Sequence, residues 1–204
     1  MGSYRIAVFA SGQGTNFQAL VDAAERGQLG GAEIALLVCD KPQAPVVGRA
    51  EKAGVEQFLF QPKSYASRED YEREIAAELE KRGIDLIVLA GYMRLITSVL
   101  VEPYAGRMIN IHPSLLPSFP GVNAIGQAYD YGVKVTGATV HFVDGGMDTG
   151  PIIAQRTVEI YEGESIQSVE DRIHTVEKEV YPQVVTWLAQ GRVRLEGRKV
   201  IVEN

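Results

Sequence analysis

Apolar and polar positions change rhythm several times along this chain, and each change marks an element. Tyr4-Arg-Ile-Ala-Val-Phe-Ala10 is a short, nearly unbroken apolar run that predicts a buried strand. Ser11-Gly-Gln-Gly14 follows as a tight loop. From Thr15 to Arg26, Phe17, Leu20, Val21 and Ala24 recur at helical spacing until Gly27 stops them. Ile34 to Val38 predicts a second strand, followed by a loop punctuated by Pro and Gly and a short helix ending at Gly54. Val55 to Phe60 predicts a third strand. Ser67, with Asp70 three residues on, caps a helix that runs to Arg82 before Gly83. Ile84-Asp-Leu-Ile-Val-Leu-Ala90 is the most strongly apolar strand, as expected where a parallel sheet is covered on both faces. A helix over Ile96 to Tyr104 and a fifth strand at Met108 to Ile111 complete this half.

Strands alternating with helices at this spacing predict βαβ units, hence a mostly parallel, doubly wound, Rossmann-like α/β sheet. Beyond Gly121 the rhythm differs. Val135 to Asp144 and Ile152 to Ile160 read as strands joined by a Gly-rich turn, so an antiparallel part is expected. A long helix follows from about Ser165 to Gln190, with Pro182 bending or interrupting it. Val193 to Val202, broken at Glu196-Gly197, predicts a closing hairpin. No repeat, low-complexity tract or linker divides residues 1–204, so one domain is expected. In such sheets ligands bind beyond the carboxyl ends of the strands. The loops after the first, fourth and fifth strands are therefore the places to search.

Composition narrows the chemistry. The 204 residues are 46% apolar and 23% charged, with a net charge of −6, which argues against a nucleic-acid binder working by phosphate neutralisation. A single cysteine, Cys39, excludes a disulfide framework and a thiolate zinc site. No apolar run reaches the roughly 18 residues of a membrane span, and a strand at Tyr4 leaves no room for a signal peptide. A cytoplasmic protein without membrane partners is expected.

Three stretches carry candidate chemistry. Gly12-Gln-Gly14-Thr-Asn16 follows a strand and opens a helix, whose free N–H groups and dipole suit an anion. A dinucleotide fingerprint would need a glycine where Phe17 stands and an acid after the second strand, for which Asp40 is available. A monophosphate fits better; a dinucleotide and a plain turn stay open. Asn110-Ile-His-Pro-Ser-Leu-Leu-Pro-Ser-Phe-Pro-Gly121 places an Asn and a His two apart, on one side of a strand end. Pro113 then holds His112 extended. Asp144-Gly-Gly-Met-Asp148-Thr-Gly-Pro151 is a turn whose second carboxylate the turn itself does not need. Beside an imidazole it would favour the protonated ring. Zinc held by His112, His141 and Asp148 lacks any local ligand spacing, and a Ser114/His112/Asp148 triad lacks a glycine-flanked nucleophile elbow. His141 and His174, taken singly, read as structural.

Together these pieces resemble one family along the whole chain, the folate-dependent phosphoribosylglycinamide formyltransferases. The motifs are Ser11-Gly-Gln-Gly-Thr-Asn16, Leu89-Ala-Gly-Tyr-Met-Arg-Leu95, Asn110-Ile-His-Pro-Ser-Leu-Leu-Pro117, Gly137-Ala-Thr-Val-His-Phe-Val143, Met147-Asp-Thr-Gly-Pro151 and Glu177 to Pro182. The resemblance implies the formyltransferase-type fold. It also implies transfer of a formyl group from 10-formyltetrahydrofolate to the amine of phosphoribosylglycinamide, with no metal. It implies catalytic roles for Asn110, His112 and Asp148, with Asp148 tuning His112. Gly14, Thr15, Asn16, His174 and Glu177 would bind the ribonucleotide. Arg68, Met93, Arg94, Leu95, Ile96 and Asn110 would bind the folate. Some relatives carry histidines where this chain has Asn123, Ala124 and Ile125. Monomer and homodimer both stay open. A formyltetrahydrofolate deformylase would add an N-terminal regulatory domain, a methionyl-tRNA formyltransferase a C-terminal barrel. A non-catalytic nucleotide or folate sensor would be expected to lose Asn110, His112 or Asp148.

The chemistry of the residues agrees with that reading. Acyl transfer to an amine passes through a tetrahedral intermediate, whose oxyanion needs donors already in place. An Asn amide and a protonated imidazole two residues apart on a rigid strand end are two such donors.

Overall fold

The structure is a computed structural model and describes residues 2–203. In chain order the elements are β1 (Tyr4–Ala10), α1 (Thr15–Glu25), β2 (Ala32–Cys39), α2 (Pro45–Ala53) and β3 (Gln57–Leu59). After a 3₁₀ turn at Pro62–Ser64 come α3 (Arg68–Lys81), β4 (Leu86–Leu89), α4 (Ser98–Val101) and β5 (Met108–His112). The second half holds α5 (Ala124–Tyr131), β6 (Val135–Phe142), β7 (Ile152–Glu159), α6 (Ile166–Ala189), β8 (Val193–Glu196) and β9 (Lys199–Val202).

Seven strands form one sheet in the order β3-β2-β1-β4-β5-β6-β7, while β8 and β9 pair separately. Strands β1 to β5 are parallel to their neighbours; β5–β6 and β6–β7 are antiparallel. The alternation of side chains sorts the apolar runs onto two faces. Ile6, Val8, Ala10, Leu86 and Val88 belong to the core under α1, α2 and α6. Ala7, Phe9, Ile87 and Leu89 belong to the core under α3 and α4. The order turns back between β1 and β4, and a crevice at such a reversal is where these sheets bind ligands. The loops meet there: Ser11 N–H donates to the Gly91 carbonyl at 3.1 Å, and Met93 N–H to the Ser11 hydroxyl at 2.9 Å.

Four elements differ from the pattern read off the chain. The helix expected over Ile96 to Tyr104 is only Ser98–Val101. Thr97 caps it, held by its N–H and hydroxyl on the buried Glu72 carboxylate, and Pro103 ends it because its ring cannot continue a helix. Strand β3 spans three residues, since β2 offers it only Leu37 to Cys39 for pairing. Helix α5 has no counterpart in the expectation; it is a short helix between left-handed Asn123 and Gly132, burying Ala124, Ile125 and Ala128. Helix α6 runs through Pro182 unbroken. The lost backbone bond is offset by the packing of Val180, Tyr181, Val184 and Val185 and by the Tyr181 hydroxyl, which donates to the carbonyls of Leu89 and Ile109. That anchor also fixes the register of α6 against the ends of β4 and β5.

Candidate active site

Two cavities open side by side along the carboxyl edge of β1, β4 and β5. The smaller, about 280 Å³, lies between the Gly12–Asn16 loop and α6, with His174 and Glu177 on its wall. The larger, about 520 Å³, lies between residues 94–97 and the loop carrying Asp148, with Arg68 at its rim and Asn110 and His141 on its wall. Strand β5 separates them: Ile111 faces the smaller and Asn110 the larger.

The smaller cavity exposes the start of α1. Gly14 caps α1 in the left-handed region (φ 73°), and no side chain takes up the N–H groups of the first turn. A β-carbon on Gly14 would stand 2.5 Å from Val46 Cγ2, so helix α2 presses directly on the loop. The loop carbonyls are drawn away from the cavity: Val46 N–H donates to the Gly12 carbonyl at 3.1 Å, and Arg49 Nε to the Gln13 carbonyl at 2.7 Å. What this loop turns toward the cavity is an array of N–H donors at a helix start. Across from it, His174 Nδ1 lies 2.9 Å from a carboxylate oxygen of buried Glu177. That hydrogen bond, more than any other influence, pushes the His174 pKa above the usual histidine value, against the opposing effect of burial.

The dinucleotide alternative fails on Asp40. Its carboxylate is fully buried, and its Oδ2 accepts from Arg94 Nε at 2.7 Å, so it faces a protein cation rather than an open ligand site. That bond holds Arg94 at the larger cavity beside Leu95 and Ile96. Met93 does not line it; its side chain is 69% exposed.

Asp148 is the hub of the larger site. It sits in the left-handed region (φ 54°), and its Oδ2 accepts from Gly121 N–H at 2.7 Å. The same oxygen is 3.5 Å from His112 Nδ1, and Oδ1 is 3.9 Å from His141 Nε2. Asp144 has a different role. It accepts from Gly146 N–H and the Thr149 hydroxyl, folding the turn that presents Asp148. His112 is buried, with Nε2 2.8 Å from the Phe119 carbonyl. A carbonyl only accepts, so Nε2 carries a proton; a second proton on Nδ1 would face Asp148.

His141, read from the chain as structural, belongs to this cluster. It is the cross-strand partner of Asn110 in the β5–β6 pairing, and its Nε2 is 3.5 Å from Asn110 Nδ2. Directly opposed residues of antiparallel strands share a face, so the pairing itself puts the two side chains together. The signal was present as parity, but the register that uses it was not. The zinc alternative gains no support, since no group of three or more metal-holding side chains occurs among the described residues. The hydrolytic triad fails as well, because buried Ser114 gives its hydroxyl to the Ser118 carbonyl at 2.6 Å.

The described fold is a doubly wound α/β sheet with two cavities at one strand end, and the family described as formyl transferase matches residues 4–185. The chain belongs to the formyl transferase family. It is 52% identical over 184 residues to the phosphoribosylglycinamide formyltransferase of Bacillus subtilis, covering 90% of this chain and 94% of that one. Among solved structures, glycinamide ribonucleotide transformylase 1 of Symbiobacterium toebii superposes with a TM-score of 0.95 at 41% identity, covering 99% of this chain and 95% of that one. The corresponding protein of Geobacillus kaustophilus gives 0.90 at 59% identity, covering 92% and 100%.

Proposed function

We propose that the chain transfers the formyl group of 10-formyltetrahydrofolate to the amine of 5-phosphoribosylglycinamide, giving N-formylglycinamide ribonucleotide and tetrahydrofolate in de novo purine biosynthesis. The observation that carries this reading is the division made by β5: one strand end serves an anion-type cavity through Ile111 and a larger cavity through Asn110. A phosphorylated acceptor lying along the first and a flat heterocycle in the second bring amine and formyl carbon together at that strand end. Residues 1–204 act as one catalytic domain on small molecules, in the cytoplasm, as a monomer or homodimer and without a metal.

The acceptor phosphate binds the N–H groups of Gly14, Thr15 and Asn16, with Glu177 on the ribose and His174 nearby. The heterocycle lies against the 94–97 segment, using backbone groups and the apolar sides of Leu95 and Ile96. Arg68 receives the acidic far end of the folate. The amine nitrogen attacks the formyl carbon, and the carbonyl oxygen takes the electron pair. Asn110 Nδ2–H and the His112 ring donate to that oxyanion. To do so, the Nε2–H of His112 is shared with or released by the Phe119 carbonyl, as catalytic hydrogen bonds tighten only when substrate is in place. Asp148, within ion-pair distance of the ring, supplies the countercharge. Collapse of the intermediate re-forms the carbonyl and breaks the bond to the folate nitrogen, which takes up a proton as it leaves while the attacking amine gives one up, so no net proton is needed.

Incubating the protein with both substrates and following folate absorbance tests the assignment. Formyl loss that depends on the ribonucleotide is expected. Equal loss without it identifies water as the acceptor and overturns amine transfer.

A pH dependence follows from His174. Its raised pKa keeps the ring positive to higher pH than a free histidine. Its contribution to phosphate affinity should therefore be complete at low pH and disappear as pH rises through that value. The Michaelis constant for the ribonucleotide should rise over this range while that for the folate does not. His174→Gln should flatten the profile; an unaltered profile would place the ring away from the phosphate.

A further inference from the structure

His141 is a nearly fully buried titratable group to which the mechanism above gives no task, and four observations define what it offers. Its Nδ1 is 2.9 Å from the Phe142 carbonyl. Since a carbonyl only accepts, the proton of the ring sits on Nδ1. Its Nε2 faces Asn110 Nδ2 at 3.5 Å, and the two residues are register partners on β6 and β5. A register shift between Val140 and His141 on the other side of β6 fits the strand locally to β7. Burial, the largest influence, pushes the His141 pKa below the usual histidine value, opposed by the Phe142 carbonyl and by Asp148.

We propose that His141 is a positioning residue that sets which way round the Asn110 amide sits. This rests on the reading of Asn110 as an oxyanion donor. A neutral ring with its proton on Nδ1 presents only a lone pair at Nε2. The amide therefore turns its NH₂ toward the ring and its Oδ1 away. One N–H is given to His141, and the second is left for the formyl oxygen. An imidazolium in the same place would donate from Nε2, draw Oδ1 toward itself and rotate both N–H groups out of use. The groups facing this ring are Asp148 and Asp144 from the loop after β6, which favour its protonation, and His112 from β5, which opposes it. The neutral state is held by burial, which is why the residue has to be enclosed.

Three measurements test this on the intact protein. Nitrogen-15 NMR of the histidine ring should show the Nδ1–H tautomer for His141 at neutral pH; an Nε2–H tautomer overturns the proposal. His141→Gln keeps an acceptor of similar reach, whereas His141→Leu keeps only volume. The Leu variant should lose roughly tenfold to a hundredfold in kcat, a fraction of what removing a whole oxyanion-hole donor costs, with both Michaelis constants little changed. The Gln variant should retain most of kcat. If Gln falls as far as Leu, the ring acts as a base or as packing, and the orienting role is wrong. The third is a cycle with Asn110→Ala. In that background His141→Leu should cost little more, because the residue acts through the amide; a full additional loss overturns the proposal. Should Asn110→Ala alone leave kcat intact while the tautomer is as expected, the failure lies in the donor reading of Asn110, and the orienting role falls with it.

Discussion

Replacing Asp148 with Asn is expected to lower kcat by roughly 10²-fold or more, the scale on which loss of a preorganised electrostatic contact is felt in acyl transfer. The substitution is close to isosteric, so the loop need not collapse. An Asn side chain in the left-handed region is well tolerated, and its amide oxygen can still accept from Gly121 N–H, the 2.7 Å bond that ties this loop to the segment after β5. What disappears is the negative charge 3.5 Å from His112 Nδ1 and 3.9 Å from His141 Nε2. The Michaelis constants should move far less than kcat, because neither the α1 terminus nor the 94–97 segment is touched. Asp148→Ala provides the control. It removes both the charge and the Gly121 tie, so it should be at least as damaging and should also lower the melting temperature. If Asn retained full turnover while Ala did not, Asp148 would be a loop tether and the electrostatic role would be lost.

The second large effect is expected at Gly14, where substitution by Val should raise the Michaelis constant for the ribonucleotide by roughly two orders of magnitude and that for the folate by much less. The cause is twofold. Left-handed backbone is strained for a β-branched residue, at a cost on the order of 1–3 kcal/mol. In addition, the new β-carbon would stand 2.5 Å from Val46 Cγ2 and 2.7 Å from its β-carbon, atoms near the start of a helix rather than the tip of a flexible chain. Either α2 retreats or the loop changes conformation, and the loop is the softer of the two. Its N–H groups then no longer converge on the anion. A 1.4 kcal/mol loss is tenfold in binding, so a cost of a few kcal/mol is enough for the expected shift. Steady-state kinetics with each substrate varied in turn checks it. An equal rise for both substrates would mean that the loop does not hold the phosphate.

The parts of the fold legible in the chain are those governed by local rules. Apolar runs at Tyr4 to Ala10 and Ile84 to Ala90 gave β1 and β4, because a strand buried on both faces must be apolar throughout. The Ser67 cap is where the capping rule puts it, accepting from Asp70 N–H at 3.2 Å. Gly14 needed no structure to be noticed, since a glycine between a strand and a helix start has a definite backbone use. Local rules also misled. Pro182 argued against an unbroken α6, and the chain could not show that Tyr181 beside it would anchor on β4 and β5. Helix α5 was hidden because eight residues carry too few turns for a period to show.

The sequence by itself determined the alternating βαβ order, the antiparallel turn after it, and the residue types placed at the strand ends, because propensity, side-chain parity and capping act over a few residues. Only the tertiary structure decided which of those residues meet. Asn110 reaches His141 because β6 runs antiparallel to β5 in one register, and a shift of one residue would have turned the partner to the other face. Asp148 reaches His112 because a turn folded by Asp144 comes back to Gly121 from 27 positions further along the chain. Asp40 became a partner of Arg94 rather than of a ligand, across 54 positions. Such contacts depend on packing two cores onto one sheet, and no local pattern carries the distance between residues that only the completed sheet brings together.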